Sequence, residues 1–303
     1  MTLSLSSHRA WLATVLAGSA ATVGYFLIPN AVLQSSLYPL VGVSCGILIL
    51  VAARTISVGQ TAWRCFGAAL LLWSAGDIVW ALYAIAGRAA PYPSIADILY
   101  LMGYLPLIAG VIIYVTCRRR GSLLRSAMDI ALIAIPVALI VWELVVLPYV
   151  QSAGLSSNDL IGLSYPLLDL ILFALAFTLI VSPRQRADAH LLGIAIALLL
   201  LADALFSVDL LAGTYRTGIW YDGAWLMSYV LWAGAALHPS TKRLPEKVRE
   251  GAVEDTHTIL VFAAVVALIA IFAYEAFWGK GRPAPNSCSA ADPRFCWRSL
   301  ACT

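Results

Sequence analysis

The chain has 303 residues, of which 61% are hydrophobic and only 12% are charged, and its formal net charge is +3. A soluble domain carries about 25% charged residues, so this composition excludes a water-soluble globule. The small net charge gives no indication of nucleic-acid binding.

In chain order, nine apolar runs approach the ~20 residues that a helix needs to cross a bilayer. The short alternating segments of a β-barrel are absent, and a backbone in lipid must otherwise be helical. We therefore predict an all-α, polytopic integral membrane helical bundle with about nine spans. The spans are expected at about 10–29, 36–53, 63–87, 96–117, 123–149, 159–183, 188–213, 220–238 and 257–278.

Four segments follow from these runs. Residues 1–240 form an eight-span membrane domain, and the polar stretch 241–256 is a cytoplasmic connector. A ninth span follows at 257–279. The tail at 280–303 is rich in Pro, Ser, Cys and Arg and is expected to be irregular.

The basic residues indicate the orientation of the chain. Connections on one side hold Arg54, Arg64, Arg118, Arg119, Arg120, Arg125, Arg184, Arg186, Lys242, Arg243, Lys247 and Arg249. Connections on the other side hold only Arg88 and Arg216 before the tail. Because basic loops stay in the cytoplasm, we predict a cytoplasmic N-terminus.

The chain also repeats itself at a spacing of 125 to 127 residues. The matched residues are Tyr38-Pro39-Leu40 with Tyr165-Pro166-Leu167, Asp77 with Asp203, and Asp97, Leu101, Met102 and Tyr104 with Asp222, Leu226, Met227 and Tyr229. The repeat unit contains four spans, which is an even number, so the two halves should run parallel. The halves are expected at about 10–120 and 123–240.

Acidic residues inside a bilayer are costly and usually functional. In the predicted topology five of them approach one outward-facing cavity between the halves: Asp77, Asp97, Asp169, Asp203 and Asp222. Such a pocket would bind a cation, a proton or a small ligand. The alternative is that each carboxylate caps a helix or bonds a neighbouring span. We favour the cap for Asp97 and Asp222, and a functional polar centre for Asp77 and Asp203.

Aromatic residues surround the same region, and four of them are candidate ligand contacts: Trp80, Tyr100, Trp225 and Tyr229. Rings at this depth more often form the interfacial aromatic belt, and we favour that interpretation. The sequence predicts no catalytic residue, metal ligand or cofactor. Its three lysines lie in predicted loops, and no Gly-rich phosphate loop or hydrolase motif is present.

Several motifs resemble a known family. They are residues 73–77 (WSAGD), Trp80, residues 91–101 (PYPSIADILYL), residues 222–229 (DGAWLMSY) and residues 237–240 (LHPS). Together they resemble the multi-span membrane input region that precedes GGDEF and EAL domains in bacterial cyclic-di-GMP signalling proteins. The resemblance covers about residues 10–275 and implies a sensor or anchor in the bacterial inner membrane. The printed chain contains neither GGDEF nor EAL.

Three functions remain open. The first is a non-enzymatic sensory or input module that lacks its output domain and works with a cytoplasmic signalling domain or protein. The second is a small-solute or proton-coupled transporter, although no span is clearly broken by Gly or Pro at matching positions in both halves. The third is an inert, truncated membrane protein, which the unusual tail suggests. The lipid bilayer is the expected partner, and a homodimer is also considered.

Overall fold

The computed structural model describes residues 2–88, 90–118, 157–180, 187–212 and 214–242. This part of the chain contains helices and no strand. The helices are α1 (Thr2–Leu27), α2 (Ala31–Ala53), α3 (Gln60–Ile85), α4 (Ile95–Arg118), α5 (Ser157–Ile180), α6 (Ala187–Ala212) and α7 (Asp222–Leu237). A short 3-10 helix, Pro239–Lys242, follows α7.

Five of these helices, α1, α2, α3, α4 and α6, are long and apolar enough to cross a membrane. The all-α membrane class predicted from the sequence is thus confirmed, and each described helix overlaps a predicted span. The predicted fifth span at 123–149 and ninth span at 257–279 lie outside the described residues. So do the tail at 280–303 and all but the first two residues of the connector at 241–256.

The helix α7 is shorter than the span predicted at 220–238. It has 16 residues and is therefore about 24 Å long. Eleven of those residues are buried, because α7 packs against α1, α2 and α6. A helix that is covered by protein does not have to match the thickness of the lipid.

The remaining contacts complete the bundle. The helix α3 packs along both α2 and α4, α4 contacts α5, and α5 contacts α6. One end of the bundle holds the ends of α1, α3 and α6 and the beginnings of α2, α4, α5 and α7. We call this the acidic end, since Asp97 and Asp222 lie at the starts of α4 and α7.

Local sequence signals fix the helix ends there. Gly87 has a φ of 65°, and the backbone N–H of Arg88 donates to the carbonyl of Tyr83, 3.0 Å away. This Schellman arrangement ends α3. Asn30 caps α2 by accepting the N–H groups of Val32 and Leu33 at 3.0 and 3.1 Å.

Aromatic rings fill the middle of the bundle. Trp73 of α3 packs against Tyr104 of α4 and against Tyr229 and Trp232 of α7, with ring centroids 5.5, 6.4 and 5.6 Å apart. Trp232 also stacks on Phe66 at 6.4 Å. These rings are rigid, so they fix the distances between α3, α4 and α7.

Candidate functional site

The first carboxylate of the site is Asp77, eight residues before the end of α3. The Tyr100 hydroxyl of α4 donates to its Oδ1 atom at 2.9 Å. Gly76 makes this contact sterically allowed, because a Cβ there would collide with the Tyr100 ring. The other oxygen of Asp77, Oδ2, is buried and has no hydrogen-bond partner.

Its counterpart in the predicted repeat, Asp203, lies in α6. The indole N–H of Trp225 donates to its Oδ1 at 2.9 Å, and the Tyr104 hydroxyl lies 3.3 Å from its Oδ2. The same hydroxyl is 2.6 Å from Oδ1 of Asp169 on α5. One side chain of α4 therefore joins two carboxyl groups of α5 and α6.

Asp97 adopts the capping role favoured from the sequence. Ser94 accepts the backbone N–H of Ala96 at 3.1 Å, while Asp97 Oδ2 accepts the N–H of Ser94 at 2.6 Å. This reciprocal pair is a capping box, with Asp in the place of the usual Glu. The other oxygen of Asp97 accepts the hydroxyl of Tyr165 on α5 at 3.1 Å, so the cap also ties α4 to α5.

Asp222 begins α7 and is 1% exposed. Its Oδ2 accepts the backbone N–H of Gly218 at 2.7 Å and the hydroxyl of Tyr25 on α1 at 2.7 Å. The Tyr215 hydroxyl lies 3.5 Å from Oδ1. Burial and the neighbouring Asp222 charge raise the pKa of Tyr215, so this loop phenol stays a proton donor. Asp222 thus joins the α6–α7 loop to α1 by hydrogen bonds.

One rule covers all five predicted acids. Each carboxylate accepts a hydrogen bond from a tyrosine hydroxyl or a tryptophan N–H. Within the described part of the chain, no Lys or Arg forms an ion pair with any of the five. Neutral aromatic donors, which can sit in an apolar bundle, hold these carboxyl groups in place of basic residues.

The predicted aromatic residues divide into two groups. Tyr229 is buried, and the half-buried Tyr100 and Trp225 pack against the core and donate to Asp77 and Asp203, whereas we had favoured an interfacial belt for all three. The Tyr100 hydroxyl and the Trp225 N–H thus bond carboxyl groups of the bundle rather than lipid headgroups. Trp80, by contrast, is 36% exposed, and its edge contacts the ring of Tyr215.

Matched positions of the sequence make contacts of the same kind. Asp77 bonds Tyr100, and 125 to 126 residues later Asp203 bonds Trp225. The ring of Tyr38 packs against Tyr229 at 6.4 Å, and the ring of Tyr165 packs against Tyr104 at the same distance. The exception is Asp169, whose matched position is Gly42. A Cβ at Gly42 would overlap the Ser74 hydroxyl, so a second carboxylate has no room there.

Sequence reasoning missed part of the site. Nothing in the spacing pointed to Tyr25, which is 197 residues from its partner Asp222. A second polar cluster at the opposite end of the bundle was also missed. There Asp188 accepts the hydroxyls of Tyr114 and Ser240 at 2.8 and 2.6 Å, and Ser240 also bonds the His238 ring at 2.7 Å.

One cavity of about 400 Å³ lies at the acidic end. Residues of the last turn of α3, the α3–α4 loop and the starts of α4 and α5 line it, among them Tyr83, Pro91, Ile95 and Ile161. None of the five predicted acids lines this cavity, whose walls are mostly apolar. The acids themselves are packed among tyrosine and tryptophan rings.

The fold and site define a class: a helical membrane bundle with a buried network of carboxyl groups and aromatic donors. No protein-family model, curated protein or solved structure matches the chain.

Proposed function

We propose that this chain is a non-enzymatic sensory or input module of the bacterial inner membrane, with its N-terminus in the cytoplasm. Its sensing element is the set of five carboxyl groups, of which Asp97 and Asp222 are buried and the other three are half-buried, placed between two parallel four-span halves. The motifs that resemble the input regions of cyclic-di-GMP signalling proteins support this proposal, and the sequence contains neither GGDEF nor EAL.

The observation that carries the proposal is that the network crosses between the halves. Tyr104 of the first half reaches Asp169 and Asp203 of the second, and Tyr165 of the second reaches Asp97 of the first. A change in the charge or ligand of one carboxyl group therefore changes bonds between the halves. Rearrangement of helices across such an interface is a common way to transmit a signal through a bundle.

The matched contacts support the two-half arrangement. A pseudo-twofold axis would exchange α2 with α5, α3 with α6 and α4 with α7. It would map the α4–α5 contact onto the α7–α2 contact, and both contacts are present. Such an axis along the membrane normal is typical of parallel repeats, whose binding sites lie at the interface between the repeats.

We expect Asp77→Asn and Asp203→Asn to change signalling output when residues 1–279 are fused to a diguanylate cyclase domain. Asn keeps the shape of Asp but cannot gain or lose a proton as a carboxyl group does, and it changes the hydrogen bonds. A shift of about fivefold in cyclic-di-GMP is the lower end of ordinary allosteric coupling. Cyclic-di-GMP in cells that carry equal amounts of inserted chimera is the measurement.

Asp209→Asn is the matched control, because Asp209 also lies in a membrane helix, α6, but bonds Thr214 and Tyr221, 2.6 and 2.7 Å away, and none of the donors of the five acids. This control should leave output unchanged. Equal output from all three variants and the parent chimera would contradict a sensing role for the buried acids.

A specific feature favours a transporter as the second candidate. Pro39 lies inside α2 and Pro166 lies inside α5, at matched positions of the two halves. The sequence interpretation had found no matched Gly or Pro break, and both helices do continue through their prolines. Proline nonetheless frees one backbone carbonyl in each helix, and matched interruptions often mark the binding site of a transporter.

A liposome experiment separates the two candidates. The sensory proposal predicts that purified protein in liposomes leaves an imposed pH gradient decaying at the rate of empty liposomes. A proton-coupled transporter would dissipate the gradient faster, and Pro39→Ala or Pro166→Ala would slow it. Faster decay with the unmodified protein would therefore favour the transporter.

A further inference from the structure

The two oxygens of Asp77 have unequal surroundings. Oδ1 accepts the Tyr100 hydroxyl at 2.9 Å, whereas Oδ2 is buried and no hydrogen-bond donor contacts it. A buried carboxylate oxygen without a donor loses its hydration and gains no hydrogen bond in return, which is unfavourable in a medium of low dielectric. An ionised Asp77 therefore does not fit this environment.

The groups that face Asp77 do not neutralise it. They are Tyr38 of α2, Tyr100 of α4, Tyr215 of the α6–α7 loop, and Asp222 and Tyr229 of α7. Four of these are phenols, and the fifth is another acid. No lysine or arginine of the described residues is paired with Asp77.

The matched residue Asp203 provides the comparison inside the same molecule. Its Oδ1 accepts the Trp225 N–H at 2.9 Å, and its Oδ2 lies 3.3 Å from the Tyr104 hydroxyl, whose single proton is shared with Asp169 at 2.6 Å. At Asp77 the residue that corresponds to Tyr104 is Tyr229, whose hydroxyl faces the Asp77 carboxyl group, while the Oδ2 atom of Asp77 makes no hydrogen bond. A phenol oxygen that does not donate can accept, because it has two lone pairs.

We propose that Asp77 is a proton-binding site, with the proton on Oδ2. The neutral acid still accepts at Oδ1 from Tyr100, and the Tyr229 hydroxyl is the facing group that can accept its O–H. No charge is then buried at Asp77. The inference deepens the proposed function, on which it rests for its role, by naming the proton as the ligand of the sensing element.

Infrared spectroscopy of the full chain in lipid vesicles at neutral pH tests this directly. A protonated carboxylic acid has a C=O stretching band that is separate from the bands of carboxylates. We expect Asp77→Asn to remove one such band. Tyr229→Phe should keep the band but shift its frequency, because the acceptor of the O–H group is lost, and Tyr100→Phe should shift it as well.

Asp209→Asn should leave the carboxylic acid bands unchanged. Loss of carboxylate intensity alone in Asp77→Asn would overturn the proposal, and so would an absence of any shift in both tyrosine variants. The tyrosine variants keep the test decisive even if Asp77→Asn does not fold. The cyclase chimera is a separate readout. If Asp77→Asn removes no carboxylic acid band but alters the cyclase output, the proton site is refuted and the sensory function still stands.

Discussion

Gly103→Ala is expected to destabilise the bundle, although alanine is the better helix former. A Cβ at Gly103 of α4 would overlap the indole nitrogen of Trp73, which donates to the Tyr100 carbonyl at 2.9 Å. Trp73 is 3% exposed and cannot withdraw, because Tyr104, Tyr229 and Trp232 hold its ring from other sides. Overpacking of this kind costs about 1–3 kcal/mol.

The measurement is the midpoint of thermal unfolding of the purified protein in detergent. Gly24→Ala is the matched control, because Gly24 also lies inside a helix and a Cβ there meets nothing within 4 Å. Helix propensity alone favours Ala over Gly by about 1 kcal/mol, so the control should unfold at the same or a higher temperature. A Gly103→Ala protein that unfolds no earlier than Gly24→Ala would show that α3 and α4 are not packed as described.

The helices could be predicted because their signal is local. A run of apolar residues near the thickness of the bilayer identifies a span without any knowledge of its neighbours. The cap at Asp97 was equally local, since Ser94 precedes it by three residues after a proline. Both predictions depend on residues within one or two turns of each other.

The hydrogen-bond partners of the acids could not be predicted, because their signal is not local. Whether a tyrosine faces lipid headgroups or a buried carboxylate depends on which helices are neighbours, and composition at a given depth is the same in both cases. Tyr100 and Trp225 were therefore assigned to a surface belt, although they donate to Asp77 and Asp203. The repeat contained the missing signal, because the two donors occupy matched positions relative to the two acids.

The hydrogen bond between Tyr25 and Asp222 is the clearest example of a contact that the sequence alone does not predict. It joins α1 to the start of α7, and α7 is the helix that contacts α1, α2 and α6. Asp222 also holds the loop that precedes α7 through the N–H of Gly218. Its carboxylate therefore serves helix packing and loop conformation together, and these are the two features that the sequence did not reveal.

Asp222→Ala should accordingly be among the most damaging single changes in the described part of the chain. It strands the N–H of Gly218 and the hydroxyl of Tyr25 in a buried site, and each stranded donor costs about 1–3 kcal/mol, so we expect a loss above about 2 kcal/mol. Asp222→Asn should be milder, because its amide oxygen can still accept both donors. Asp209→Ala, near the end of α6, should have a smaller effect, because its hydrogen bond to Thr214 is exposed and water can bond Thr214 in its place. Thermal unfolding, and proteolysis of the loop at 214–221, should both rank the three variants in this order. Equal stability of Asp222→Ala and Asp209→Ala would mean that the Asp222 carboxylate does not hold α7 to α1, and the network that joins the helices would lose its anchor at the acidic end.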